Sequence, residues 1–139
     1  MVTKFLNIRF SIFFLIGVSV SFLSSAQSEK FHLNESITRG KELYIIHCMS
    51  CHMENGEGLE GAFPPVAKSD YLMADKNRSI TQILNGLSGE ITVNGKIYYG
   101  DMPAFDLTNK EVSDVLNYVR NSWGNKGEAV IPAEVKAFR

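Results

Sequence analysis

Apolar and polar positions change rhythm several times along this chain. Residues 10 to 23, FSIFFLIGVSVSFL, are apolar and carry no charge. From about Ser36 to Ser50 the rhythm is helical. Ile37, Gly40, Tyr44, Cys48 and Cys51 recur at spacings of 3, 4, 4 and 3, which puts all five on one stripe. Gly40 is out of place there, because glycine inside a helix costs about 1 kcal/mol against alanine. A second helix crossing closely at that point would explain it. Residues 53 to 72 hold Gly56, Gly58, Gly61, Pro64 and Pro65, a density that predicts a loop. The loop still contains Leu59, Phe63, Val66 and Leu72, so it is expected to wrap something. A shorter helix is predicted over 80–87, with Ser79 and Gln82 as a capping box and Gly86 and Gly89 as its stop. Alternation around Asn94-Gly95 in residues 91 to 99 predicts a two-residue hairpin. The last long helix starts at a capping box of Thr108 and Glu111 and buries Val112, Val115, Leu116, Val119 and Trp123. Lys110 and Asp114 are expected on its exposed side. One more turn is expected after Pro132.

The first apolar run reads as an export signal. Lys4 and Arg9 precede it, and the small residues Ser24, Ser25 and Ala26 end it ahead of an expected cut before Gln27. The run is short for a spanning helix, which needs about 20 residues. An uncleaved membrane anchor is the alternative. No cysteine lies there, which excludes a lipid on a cysteine. The organisation expected is a signal at 1–26, a polar leader at 27–35 and one domain at 36–139. Without the signal, 12 basic residues face 15 acidic ones, a formal charge of −3. Such a chain has no basic run for nucleic acid. A domain this small also has a limited core, which a buried apolar cofactor would enlarge.

The chemistry concentrates in HCMSCH, residues 47 to 52, which holds both cysteines and two of the three histidines. A structural zinc site needs four ligands, usually as two separated pairs, and there is no second cysteine pair. A thioredoxin-like redox pair needs a strand before the helix. A disulfide between helical residues three apart is strained. C-x-x-C-H is also the attachment pattern of a c-type haem. Two thiols on one helical face can add to two vinyl groups on one porphyrin edge, and His52 then lies where its imidazole can take an axial position. A pair of cysteines exported from the cytoplasm and not left as a free dithiol agrees with this.

The sixth ligand decides what such a haem does. Met49 and Met53 flank the attachment site and cannot cross to the opposite face. Met73 comes 21 residues after His52 and Met102 comes 50 after it. Met102 is favoured, because Pro103 stiffens the segment GDMPAF and a pre-organised ligand loses less on binding. Met73 and His32 remain as alternatives, and His47 reads as a partly exposed helix residue.

With these residues in view the chain resembles the class I monohaem cytochromes c. In GKELYIIHCMSCH, Gly40, Tyr44, Cys48, Cys51 and His52 match that family's glycine, aromatic, thioether cysteines and proximal histidine. DVLNYVRNSW resembles its C-terminal helix, with Val115 and Tyr118 at the contact positions. Pro64 of AFPPVA matches the proline whose carbonyl accepts a hydrogen bond from the proximal imidazole. GDMPAF resembles the methionine-ligand loop of bacterial members. The resemblance covers about Ser36 to Trp123. It implies an all-α cytochrome c fold, with terminal helices crossing around one covalent haem c and its iron, long irregular loops and a short hairpin.

The function so implied is that of a periplasmic electron carrier, not an enzyme, with His52 and Met102 on iron. The expected partners are periplasmic or membrane oxidoreductases of the nitrite reductase, dehydrogenase or terminal oxidase type, met by transient docking of a monomer. A basic patch on the partner would speed encounter with the mildly acidic surface. No small-molecule substrate and no nucleic acid are expected. The other readings are an anchored or tightly bound subunit of a larger oxidoreductase, and a haem enzyme or gas sensor with an open sixth site.

Overall fold

The computed structural model describes residues 30–139. The expected signal at 1–26 lies outside the described residues. The first helix, Leu33–His47 (α1), starts three residues earlier than the sequence suggests, inside the segment expected as a polar leader. It ends at Cys48 and is followed by the single turn Met49–His52 (α2), so the expected stripe is broken at its first cysteine. Asp70–Ala74 (α3) falls at the end of the expected loop. Lys76–Asn85 (α4) begins earlier than expected and is capped by Asp75, whose side chain accepts from the Arg78 N–H. The Ser79–Gln82 capping box is therefore wrong. Ser79 is buried inside the helix, and its hydroxyl donates to the carbonyls of Leu72 and Asp75. An aspartate four residues upstream outcompeted it for the cap.

Gly86, at φ +78°, ends α4. Gly89 does not stop a helix but lies in a strand. Leu87–Val93 (β1) and Lys96–Met102 (β2) pair antiparallel around Asn94-Gly95, from Val93 opposite Lys96 to Leu87 opposite Met102. The hairpin is longer than the sequence suggests. Both of its turn residues have positive φ, as the two-residue turn demands. Asn109–Val119 (α5) carries the expected Thr108–Glu111 capping box, and Pro132–Lys136 (α6) is the expected last turn. Trp123 lies beyond α5, with φ +52°.

The core sits where α1 crosses α5. Tyr44, Ile80, Val112, Val115, Leu116, Val119, Val130 and Val135 are buried together. A Cβ on Gly40 would lie 1.9 Å from the Asp114 carbonyl oxygen and 2.8 Å from Tyr118 Cβ. The close crossing inferred from Gly40 is thus present, and the residues that press on it are Asp114 and Tyr118. Tyr44, Tyr118 and Trp123 close one side as an aromatic trio, with ring centroids 5.1 to 5.4 Å apart.

Asp114 is not on an exposed face. It is buried, with Ser36 Oγ donating at 2.6 Å, Arg39 Nε at 2.7 Å and Lys110 Nζ at 3.0 Å. Asn117 continues the network to both backbone groups of Val130. A period of 3.6 cannot show this, because α1 and the tail cover α5 from two sides. Burial pushes the Asp114 carboxyl up, but the hydrogen bonds from Arg39, Ser36 and Lys110 outweigh it and hold it below the usual range. A depressed folded-state value means stability that is full above the unfolded value, about pH 4, and is lost as pH falls through the folded one. Asp114→Asn should cost about 1–2 kcal/mol at neutral pH and flatten the acid limb of a stability-versus-pH curve from denaturant titrations. An acid limb as steep as wild type would contradict this.

Candidate functional site

A cavity of about 300 Å³ lies between α1, α2, the loop after them, α4 and the hairpin. That is the low end of the range for small-molecule and cofactor sites. Cys48, Cys51, His52, Pro64 and Met102 all line it. Met73 is not among the lining residues, and His32 is exposed at the start of α1. His47 does line the cavity, edge-on to Phe105 at 6.0 Å between ring centres, so it is closer to the site than a surface reading implies.

The α2 turn presents both sulfurs and the imidazole from one short piece of chain. It is fixed at each end. Tyr44 Oη donates to the Met53 carbonyl at 2.7 Å, and the Gly58 N–H donates to the His52 carbonyl at 3.0 Å. His52 Nδ1 is 2.9 Å from the Pro64 carbonyl oxygen. A carbonyl can only accept, so Nδ1 carries the proton. Burial lowers the His52 value, while the bond to Pro64 works against that shift. Burial therefore favours a neutral ring whose Nε2 lone pair is free to bind a metal. The Pro64 carbonyl is held in place by a glycine. A Cβ on Gly58, at φ +66°, would lie 2.4 Å from the Phe63 carbonyl oxygen and 2.8 Å from that of Pro64. Nothing in the spacing marks Gly58 beyond its membership of a glycine-rich loop.

Met102 is the last residue of β2, not part of an irregular loop. Its stiffness comes from what surrounds it. Gly86 packs on the Met102 carbonyl, where a Cβ would come within 2.6 Å. The Phe105 N–H then donates to the Ile83 carbonyl at 3.0 Å, strapping the segment to the end of α4.

The donor set suits a haem and does not suit zinc. Among the described residues no group of three or more His, Cys, Asp and Glu is placed to hold a metal ion. The walls are mainly apolar, with Ile83, Val93, Leu116 and Val119 among them. Burial, with Cys51 adding to it, pushes the Cys48 thiol up to about 11. The residues that lead into the pair form helix α1, not the strand that a thioredoxin-like redox pair requires.

Comparison with known proteins agrees with the geometry. The cytochrome c family profile matches residues 37–123. A cytochrome c-552 of Thermus thermophilus is 38% identical over 91 residues, covering 62% of this chain and 69% of that protein. The cytochrome c subunit of a quinone alcohol dehydrogenase from Gluconobacter oxydans is 31% identical over 97 residues, 68% of this chain and 20% of that subunit. The cytochrome c subunit of a gluconate 2-dehydrogenase from Pantoea cypripedii is 33% identical over 101 residues, 68% of this chain and 22% of that subunit. The chain thus spans about two thirds of the Thermus protein and about a fifth of the dehydrogenase subunits.

Proposed function

The chain belongs to the cytochrome c family, and on that premise we propose that it is exported and carries single electrons between oxidoreductases with His52 and Met102 as axial ligands. As a family member it holds haem c covalently through Cys48 and Cys51 and is an electron carrier or oxidoreductase subunit, not itself a catalyst. The observation that carries the ligand assignment is that one cavity brings Cys48, Cys51, His52 and Met102 together.

Haem iron, when bound, supplies one-electron ferric–ferrous chemistry. The protein's part is to hold that chemistry still. Cys48 and Cys51 would hold the group covalently through their sulfurs. His52 offers Nε2 while Pro64 fixes its orientation and raises its basicity. Met102 offers a thioether, which favours the reduced state and a comparatively high potential. The walls are mainly apolar, and one-electron transfer requires no group to move a proton and no substrate to enter. A monomer in the periplasm that meets its partners briefly, at a small interface, fits this role. Its partners would be of the dehydrogenase, nitrite reductase or terminal oxidase type.

The dehydrogenase subunits among the relatives favour a second reading, that of a fixed subunit held by residues 1–26. Among the described residues no helix is long and apolar enough to cross a membrane.

One preparation of the exported protein tests both readings. Its spectrum should be low-spin c-type, with a methionine–iron charge-transfer band when oxidised and no response to carbon monoxide when reduced. Its mass should correspond to one haem on a chain that starts at Gln27. A carbon-monoxide-sensitive haem would replace the carrier by an enzyme or sensor. Retention of residues 1–26 would favour the anchored subunit.

A further inference from the structure

Loops are the most mobile part of a fold, yet His52 depends on a loop carbonyl, that of Pro64. Something must hold that loop. The Val66 and Ala67 N–H groups both donate to the Gly56 carbonyl, each at 2.8 Å. This closes the chain between Gly56 and Val66 into a ring that carries Pro64. Gly56 in turn lies between two side chains. A Cβ there would come within 2.8 Å of Trp123 Cε3 and 3.0 Å of Val66 Cγ2.

The ring has a further fastening, from Asn125, which is only 6% exposed. Its side-chain nitrogen donates to the Val66 carbonyl at 2.8 Å and to the Val119 carbonyl at 2.7 Å. Both partners are carbonyls, which can only accept, so the amide turns its NH2 group to them and spends both protons. Val119 is the last residue of α5. Its carbonyl is one of those that a helix leaves without an intrahelical partner at its C-terminus. Val66 and Val119 line the cavity, and Asn125 does not. One buried amide therefore ties the end of α5 to the loop that aims His52, from behind the cavity wall. The local chain suits this. After α5 it turns back through Trp123 at φ +52° and Gly124 at φ +94°. The Asn125 N–H donates to the Ser122 carbonyl at 2.9 Å and closes the turn.

We infer that Asn125 is a positioning residue for His52, acting through Val66 and Pro64. It sets how firmly the Pro64 carbonyl holds the His52 Nδ1 proton. The inference rests on the haem reading above. A hydrogen bond at Nδ1 makes the imidazole a stronger donor at Nε2, which favours the ferric state of a bound iron. A loosened loop weakens that bond and favours the ferrous state. The end of α5 thus has a task of its own, as the fixed point from which the proximal ligand is aimed.

The test uses the holoprotein and takes two readings. One is the midpoint potential. The other is solvent exchange of the His52 Nδ1 proton, followed by NMR of the reduced protein with isotope-labelled histidine. Asn125→Ala removes both donors. It should raise the ferrous-to-ferric ratio at a fixed ambient potential about threefold, or about 28 mV at about 59 mV per tenfold for one electron. The Nδ1 proton should exchange about tenfold faster, as loss of a hydrogen bond that holds the loop implies. Asn125→Ser keeps one hydroxyl donor. It should move both readings the same way by less, and carries the test if Asn125→Ala does not fold. Asp114→Asn loses stability where α1 crosses α5, away from the loop, and should move neither reading. Wild-type potential and exchange in the folded Asn125 variants, or equal shifts in Asp114→Asn, overturn this inference alone. A wild-type spectrum that is not low-spin overturns the axial-ligand reading instead.

Discussion

Gly40→Ala is expected to destabilise the protein by about 3 kcal/mol or more, at the upper end of what overpacking a core costs. Helix propensity favours the change by about 1 kcal/mol, so the outcome reports tertiary packing against local preference. The added methyl carbon would sit 1.9 Å from the Asp114 carbonyl oxygen, 2.5 Å from its carbon and 2.8 Å from Tyr118 Cβ. Two of these three atoms are backbone, so no rotamer change gives relief, and α1 and α5 must separate. Separation would also strain the Ser36–Asp114 bond and the packing of Tyr44 on Tyr118. For a domain of this size the loss corresponds to a fall in Tm of about 15 °C. Thermal unfolding of the holoprotein would measure it, and a variant as stable as wild type would mean the two helices can slide apart at no cost.

The crossing was legible in the sequence because it needed a residue that local rules disfavour. A glycine in a helical stripe has few explanations, and a neighbouring backbone is the commonest. The start of α5 was legible for a similar reason, whereas its end was not, since the stripe was expected to run on to Trp123 and the helix stops at Val119. A capping box is a local device, and Thr108 and Glu111 need no tertiary partner to act. What could not be read depended on distant chain. Asp114 has the spacing of an exposed ion-pair residue, but Ser36 and Arg39, more than seventy residues away, cover it. Ser79 has the sequence of a cap, but Asp75 took the position. The helix break at Cys48 left no mark, since Cys48 and Cys51 keep a spacing that a continuous helix would also allow.

The site was legible to the same extent. HCMSCH points to its chemistry through spacing, and Met102 was favoured over Met73 and His32 by the stiffness of Pro103. The structure replaces that stiffness with another kind. Met102 ends a strand, Gly86 lets α4 press on its carbonyl, and Phe105 is tied to Ile83.

Met102→Ala should change the haem more than any other single substitution on that wall of the cavity, and change the fold little. The backbone on either side is held by contacts the side chain does not make, so the segment should keep its course. The thioether is lost outright. Met102 is the sole methionine among the five lining residues that pattern and geometry single out, and Met73, the alternative, does not line the cavity. Three results are then expected together. The methionine–iron band disappears, carbon monoxide binds to the reduced protein, and the midpoint potential falls by on the order of 0.1 V or more, part of the roughly 0.8 V that axial ligands command. Met73→Ala should leave all three unchanged. The two variants measured side by side decide the ligand. Loss of the band in Met73→Ala with its survival in Met102→Ala would reverse the assignment and require the hairpin to leave the cavity. A low-spin spectrum without the band in the wild-type protein would pass the position to a histidine, with His47 first in line because it already stands on the cavity wall.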